Sequence, residues 1–174
     1  MTDPSALNLQ YFLPYKLSRL VNDISAELSR TYATNFGLNV SQWRMLAAAA
    51  QLEPTSVTEL TDYSGMDKVT VSRSVAEMVK RGLLTRTPDS RDSRRAIIAL
   101  TTEGRDIYVH IAPAAVEFEQ SLLSVFDDTE QKQLQEYIDR LLAQLAVLRL
   151  SGSYDFDRRK RKPPKAMVAE KVDK

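Results

Sequence analysis

The sequence predicts a mainly α-helical chain carrying one small β-hairpin, on three observations. Apolar residues recur at steps of three and four over most of the length. Capping residues, glycines and prolines cut that pattern into helices. A single pair of strand-like runs, Leu84 to Thr87 and Ala96 to Leu100, interrupts it. With 43% apolar residues among 174, the chain can bury a core as one ordinary domain or two small ones.

The elements follow in order. Leu17, Leu20, Val21, Ile24, Leu28, Tyr32 and Phe36 make one stripe of a long amphipathic helix that Gly37 is placed to end. Ser41 can cap a second helix through Trp43, Met45, Leu46 and the alanine run to about Leu52, where Pro54 stops it. Ser56 and Glu59 have capping-box spacing and open a short helix to about Tyr63, and Ser64-Gly65-Met66 reads as a tight turn. Asp67 can cap the next helix, whose inward face is Val71, Val75, Met78 and Val79 and whose end is marked by Gly82.

The polar stretch from Pro88 to Arg95 joins the two strand-like runs and reads as a charged hairpin tip. Thr101 can cap a helix to about Phe126, with a kink expected at Pro113. Asp128 with Gln131 can cap a last helix whose Leu134, Ile138, Leu141, Leu145 and Leu148 form a seam that wants a partner helix. After Ser151-Gly152-Ser153 the periodicity vanishes, and the segment from Arg158 to Lys165 is basic and broken by prolines, which predicts disorder when free.

Two short helices about a glycine-containing turn, followed by a hairpin, compose a winged helix-turn-helix. The fold class is therefore mainly α with a small β-hairpin wing, a winged helix-turn-helix domain plus a helical dimerisation region. Its parts are 1–36 as N-terminal arm and dimerisation helix, 37–101 as the winged domain, 102–150 as C-terminal dimerisation helices and 151–174 as the basic tail.

Composition removes whole classes of function. There is no cysteine, so disulfides, thiolate metal sites and thiol chemistry are excluded, and His110 is the single histidine, which leaves zinc sites and His-dependent catalysis short of ligands. No phosphate loop, glycine-rich dinucleotide turn, HExxH or Ser/His/Asp set is present, so no enzyme and no cofactor are expected. Neither a leader-like N-terminus nor a membrane-length apolar run is seen, and a cytoplasmic location is expected. The net charge is only +1 but unevenly spread: residues 66–95 hold eight bases against four acids, 103–150 four against nine, and 151–174 eight against four.

The basic middle coincides with the helix-turn-helix. Rotating the 67–81 helix at about 100° per residue turns Thr70, Arg73, Glu77 and Lys80 outward. A recognition helix reads the major groove mainly with its N-terminal half, which selects Lys68, Val69, Thr70 and Arg73, with Ser72 at the flank. Arginine can grip guanine through two hydrogen bonds, and Val69 or the Thr70 methyl suits a thymine methyl. In the hairpin tip, Arg91, Arg94 and Arg95 could enter a minor groove, with Asp92 near enough to orient one of them.

Asp92-Ser-Arg94-Arg-Ala-Ile-Ile-Ala-Leu100-Thr101 resembles the D-x-R-x5-L-T wing signature of MarR regulators. Lys68-Val-Thr-Val-Ser-Arg73 and Lys80-Arg-Gly-Leu-Leu-Thr-Arg86 resemble that family's recognition helix and its exit into the wing. The likeness runs from about 16 to 150 in element order. It implies a ligand-responsive repressor that binds a palindromic operator in double-stranded DNA as a homodimer, with Arg94 in the minor groove, Asp92 supporting it, and the first and last helices making the dimer.

The likeness also implies an effector, a small aromatic acid or its coenzyme A thioester, held between the dimer helices and the winged domain, where Tyr32, Trp43 and His110 are candidates. The alternative for these residues is packing, with Tyr32 and Trp43 in the core and His110 at the surface or an interface. The sequence departs from the family pattern in its basic tail, and the missing cysteine excludes the peroxide-sensing branch. The competing function is a winged helix used as a protein-interaction module, with the tail as an RNA-binding or targeting segment.

Overall fold

The computed structural model describes residues 7–89 and 95–152. The chain divides into two compact units, Met1–Leu122 and Leu123–Lys174.

The first unit begins with α1 (Leu13–Phe36), which starts four residues ahead of its apolar stripe because Pro14 occupies the first turn, where a missing N–H costs nothing. Gly37 ends it in the left-handed region at φ 60°, and Arg81 donates to the last carbonyls, Gly37 O at 2.9 Å and Phe36 O at 2.6 Å. A guanidinium on a helix C-terminus also meets the negative end of the helix dipole.

Helix α2 (Val40–Leu52) is capped by Asn39 rather than by Ser41. Asn39 Oδ1 accepts the Gln42 N–H at 2.9 Å and Gln42 Oε1 accepts the Asn39 N–H at 3.0 Å, so the reciprocal box lies two residues upstream of the expected cap. Ser56 caps α3 (Val57–Ser64) as expected, whereas the Glu59 carboxylate turns to the Thr55 hydroxyl at 3.2 Å and to Arg95. Gly65, at φ 64°, ends α3, and Asp67 opens α4 (Lys68–Lys80).

The exit from α4 explains Gly82. Its N–H reaches Val79 O and that of Leu83 reaches Met78 O, the paired bonds of a Schellman turn, which needs a left-handed residue between them. Gly82 supplies it at φ 74°. Strands β1 (Leu84–Pro88) and β2 (Ala96–Leu100) pair antiparallel with Leu84 opposite Leu100. Thr55 forms a further antiparallel bridge to Ile98, tying the hairpin to the start of α3.

Helix α5 (Thr102–Leu123) is opened by the Thr101 hydroxyl, which accepts the Gly104 N–H at 3.0 Å and donates to Gly82 O at 2.6 Å. It runs unbroken through Pro113 and stops at Leu123, three residues short of the expected end. The core of this unit joins Tyr32, Met45, Leu46, Leu60, Val71, Val75, Met78, Leu84, Ile98 and Ile111. Burying a large apolar side chain is worth about 2 kcal/mol, so this set holds α2, α3 and α4 around the hairpin.

In the second unit, α6 (Asp128–Ser151) is capped by Asp127 with Glu130, one residue ahead of the expected Asp128 and Gln131. Asp127 Oδ1 takes the N–H groups of Thr129 and Glu130, and the Glu130 carboxylate takes that of Asp127. No residue of α6 is buried, and Ile138, Leu141 and Leu145 are between 42% and 49% exposed.

Candidate nucleic-acid interface and ligand pocket

Helix α4 separates its two faces cleanly. Val71, Ser74, Val75 and Met78 are buried while Lys68, Val69, Ser72, Arg73, Glu77 and Lys80 are exposed. Val69 is 76% exposed, an apolar side chain facing away from a core that could have used it. Asp67 fixes the first turn: its carboxylate accepts the Thr70 hydroxyl at 2.6 Å and the Thr70 N–H at 2.9 Å, and these two bonds, the hydroxyl's first, hold its carboxyl below the usual range. With its hydroxyl so engaged, Thr70 has its methyl left to offer.

The wing emerges beside this helix. Asp89 N–H donates to Arg95 O at 3.0 Å where the hairpin leads into its tip. The Arg95 guanidinium, half exposed, lies 3.1 Å from Glu59 Oε1, so the structure gives this candidate an α3 partner. Hydrogen bonding by the Ser56 hydroxyl is the largest influence on Glu59; against some desolvation it joins the Thr55 hydroxyl and Arg95 in lowering that carboxyl. Arg91, Asp92 and Arg94 lie outside the described residues, as does the tail from 153 onward.

A second latch anchors the base of the wing. Glu53 receives the backbone N–H of Leu100 at 3.0 Å on one oxygen and pairs with Arg105 through the other. Desolvation opposes ionisation of this carboxyl, but the Leu100 N–H and the Arg105 guanidinium outweigh it and hold the group below the ordinary range. One side chain thus joins the end of α2, the end of β2 and the first turn of α5.

A separate cavity of about 290 Å³ opens between α2, the end of α3 and α5. Trp43, Arg44, Gln51, Tyr63 and Tyr108 supply its polar and aromatic wall. Trp43 stacks on Tyr108 at 6.1 Å between centroids and on Tyr32 at 5.6 Å. Gln51 donates to the Tyr108 hydroxyl at 3.1 Å, and Arg44 donates to Ser25 Oγ at 3.1 Å.

Of the three pocket candidates, only Trp43 lines this cavity. Tyr32 is 1% exposed and acts as a floor under the indole, where burial pushes its phenol up against a smaller opposing influence from Arg44. His110 is exposed and sits edge-on to Phe36 at 6.1 Å, away from the cavity. Sequence reasoning missed Arg44, Tyr63 and Tyr108. Arg44 had a signal, since it is the single charged residue of α2.

This fold, with its hairpin and the exposed face of α4, defines a winged helix-turn-helix protein. Residues 36–95 match the model of the MarR family. The chain is 29% identical over 109 residues to the HTH-type transcriptional regulator YwoH of Bacillus subtilis, covering 63% of this chain and 78% of that one. It superposes with a TM-score of 0.75 on a MarR/EmrR family regulator from Acinetobacter sp. ADP1, at 26% identity, over 80% of this chain and 99% of the other. CouR from Rhodococcus jostii RHA1, a structure bound to p-coumaroyl-CoA, shares the fold at 23% identity and a TM-score of 0.68 over 78% and 95% of the two chains. Over residues 36–95 the chain is therefore similar to the MarR family, and the relatives and solved structures it resembles are transcriptional regulators.

Proposed function

We propose that the chain is a cytoplasmic, ligand-responsive repressor that binds a palindromic operator as a homodimer. The observation that carries this reading is the face of α4, where Lys68, Val69 and Ser72 are exposed together at the N-terminal half of a helix anchored by a buried opposite face. A helix so presented enters a major groove with these residues at base edges, and Arg94 and Arg91 of the wing tip reach the adjacent minor groove. Val69→Glu tests it: the site is exposed, so the fold survives, while a carboxylate against the duplex should weaken binding at least tenfold. Wild-type binding by folded Val69→Glu would overturn the reading.

The homodimer rests on apolar surface that the single chain leaves uncovered. Leu13, Leu17, Leu20 and Val21 of α1 are 42% to 50% exposed, and α6 buries nothing. Helices of this composition are stable when a second copy covers them.

The effector is a small aromatic acid or its coenzyme A thioester, seated in the cavity beside Trp43. The indole and the Tyr108 ring suit an aromatic plane, and Arg44 suits a carboxylate. The ligand of CouR is of this chemical class.

A further inference from the structure

We infer that the cleft between the N-terminus of α2 and the middle of α4 is a seat for one phosphodiester of the DNA backbone, and that Arg73 grips that phosphate rather than a base. The inference rests on the reading of α4 as the duplex-facing helix and changes the role of one of its residues.

The cleft, about 320 Å³, is lined by Asn39, Val40, Ser41, Arg73, Ser74 and Glu77. Three features of it suit an anion. The capping box satisfies the N–H groups of Asn39 and Gln42, and Trp43 bonds to Asn39 O, so the N–H groups of Val40 and Ser41 remain as donors at the positive end of a 13-residue helix. Arg73 is exposed and pairs with no acid among the described residues.

Ser74 is the third feature and is independent of the other two. Its residue is 4% exposed, and its hydroxyl has no hydrogen-bond partner among the described residues. No enclosed polar atom there is left unsatisfied, so this hydroxyl opens to the cleft it lines. A hydroxyl that opens to a cleft and has no protein partner is left to bond to whatever occupies that cleft. A phosphate oxygen suits it as an acceptor.

Glu77 decides which anion. Its carboxylate accepts from Gln42 Nε2 at 3.0 Å and places an acid at the rim. A carboxylate there repels a free phosphate dianion, whereas a singly charged phosphodiester is carried in by the other contacts of the duplex. The site therefore positions the protein along the backbone, and contacts of that kind carry affinity without reading sequence.

The test uses the full-length protein and a labelled random-sequence 30-base-pair duplex, titrated at several salt concentrations. Arg73→Gln should lower the magnitude of the log K against log salt slope by about one per protomer, about two per dimer. Ser74→Ala should weaken binding a few-fold without altering the helical circular dichroism. Ranking of duplexes enriched from a random pool should be unchanged in both variants. A wild-type slope in Arg73→Gln, or a relaxed preference at one base pair, overturns the phosphate seat. Absence of salt-dependent duplex binding by the wild type would instead sink the proposed function, and the seat with it. Inorganic phosphate is the second arm. A rise in melting temperature with phosphate, at constant ionic strength, that Arg73→Gln abolishes would assign the cleft to a free anion and also overturn the proposal.

Discussion

Replacing Glu53 should loosen the base of the wing in a way that depends on pH. Its side chain is 18% exposed, one oxygen accepting the Leu100 N–H at 3.0 Å and the other facing an Arg105 guanidinium that is 52% exposed. A hydrogen bond to a charged group is worth about 1.5 to 3 kcal/mol, and a half-exposed ion pair adds about 0.5 kcal/mol. Glu53→Ala, which removes both and leaves the Leu100 N–H without its acceptor, should therefore cost about 2 to 3 kcal/mol at neutral pH. Glu53→Gln keeps an acceptor and loses the charge, so about 1 kcal/mol is expected.

The sign with pH follows from the lowered carboxyl. A group whose folded value lies below its unfolded value contributes stability above the ordinary glutamate range, and that contribution is lost as pH falls through the folded value. Urea unfolding of wild type and Glu53→Gln at pH 7 and at successive steps below pH 4.5 measures it. The two stability curves should converge in acid. A constant gap at every pH, or no gap at pH 7, would refute the reasoning.

Two further outcomes are expected. A Cβ added at Gly104 would stand 2.0 Å from the Leu83 carbonyl oxygen, so Gly104→Ala must push α5 off the hairpin and should cost about 3 kcal/mol; an unchanged urea midpoint would contradict this. Residues 158–165 carry six Lys/Arg and no acid, so truncation after Ser151 should reduce the salt slope by about four to five per dimer with operator preference unchanged, and equal slopes would dispose of a DNA-contacting tail.

The helices and the wing were legible because their signals are local. Gly37, Gly65 and Gly82 stand where left-handed turns are required, and all three adopt positive φ. Cap identities slipped where two candidates compete: Asn39 outcompeted Ser41 because Gln42 completes its box, and Asp127 outcompeted Asp128 because Glu130 lies three residues on. Thr55 was invisible as a strand partner of Ile98, since one bridge leaves no periodicity to read.

The cavity was only half legible. Trp43 was identified, but Tyr63 and Tyr108 reach it from α3 and α5, and such a meeting depends on tertiary packing rather than spacing. Arg95 illustrates the same limit. Its charge was legible and its proposed DNA contact stands as a proposal, but its ion pair with Glu59 is a meeting of α3 with the hairpin that no spacing shows.

A hydroxyl-radical footprint of the full-length protein on duplexes selected from a random pool decides whether α4 and the wing of two copies engage DNA together. The account predicts two protected half-sites of related sequence, their centres about one helical turn apart and arranged with two-fold symmetry, with Val69→Glu abolishing both. Protection of a single half-site, or selection that enriches no sequence at all, would contradict it.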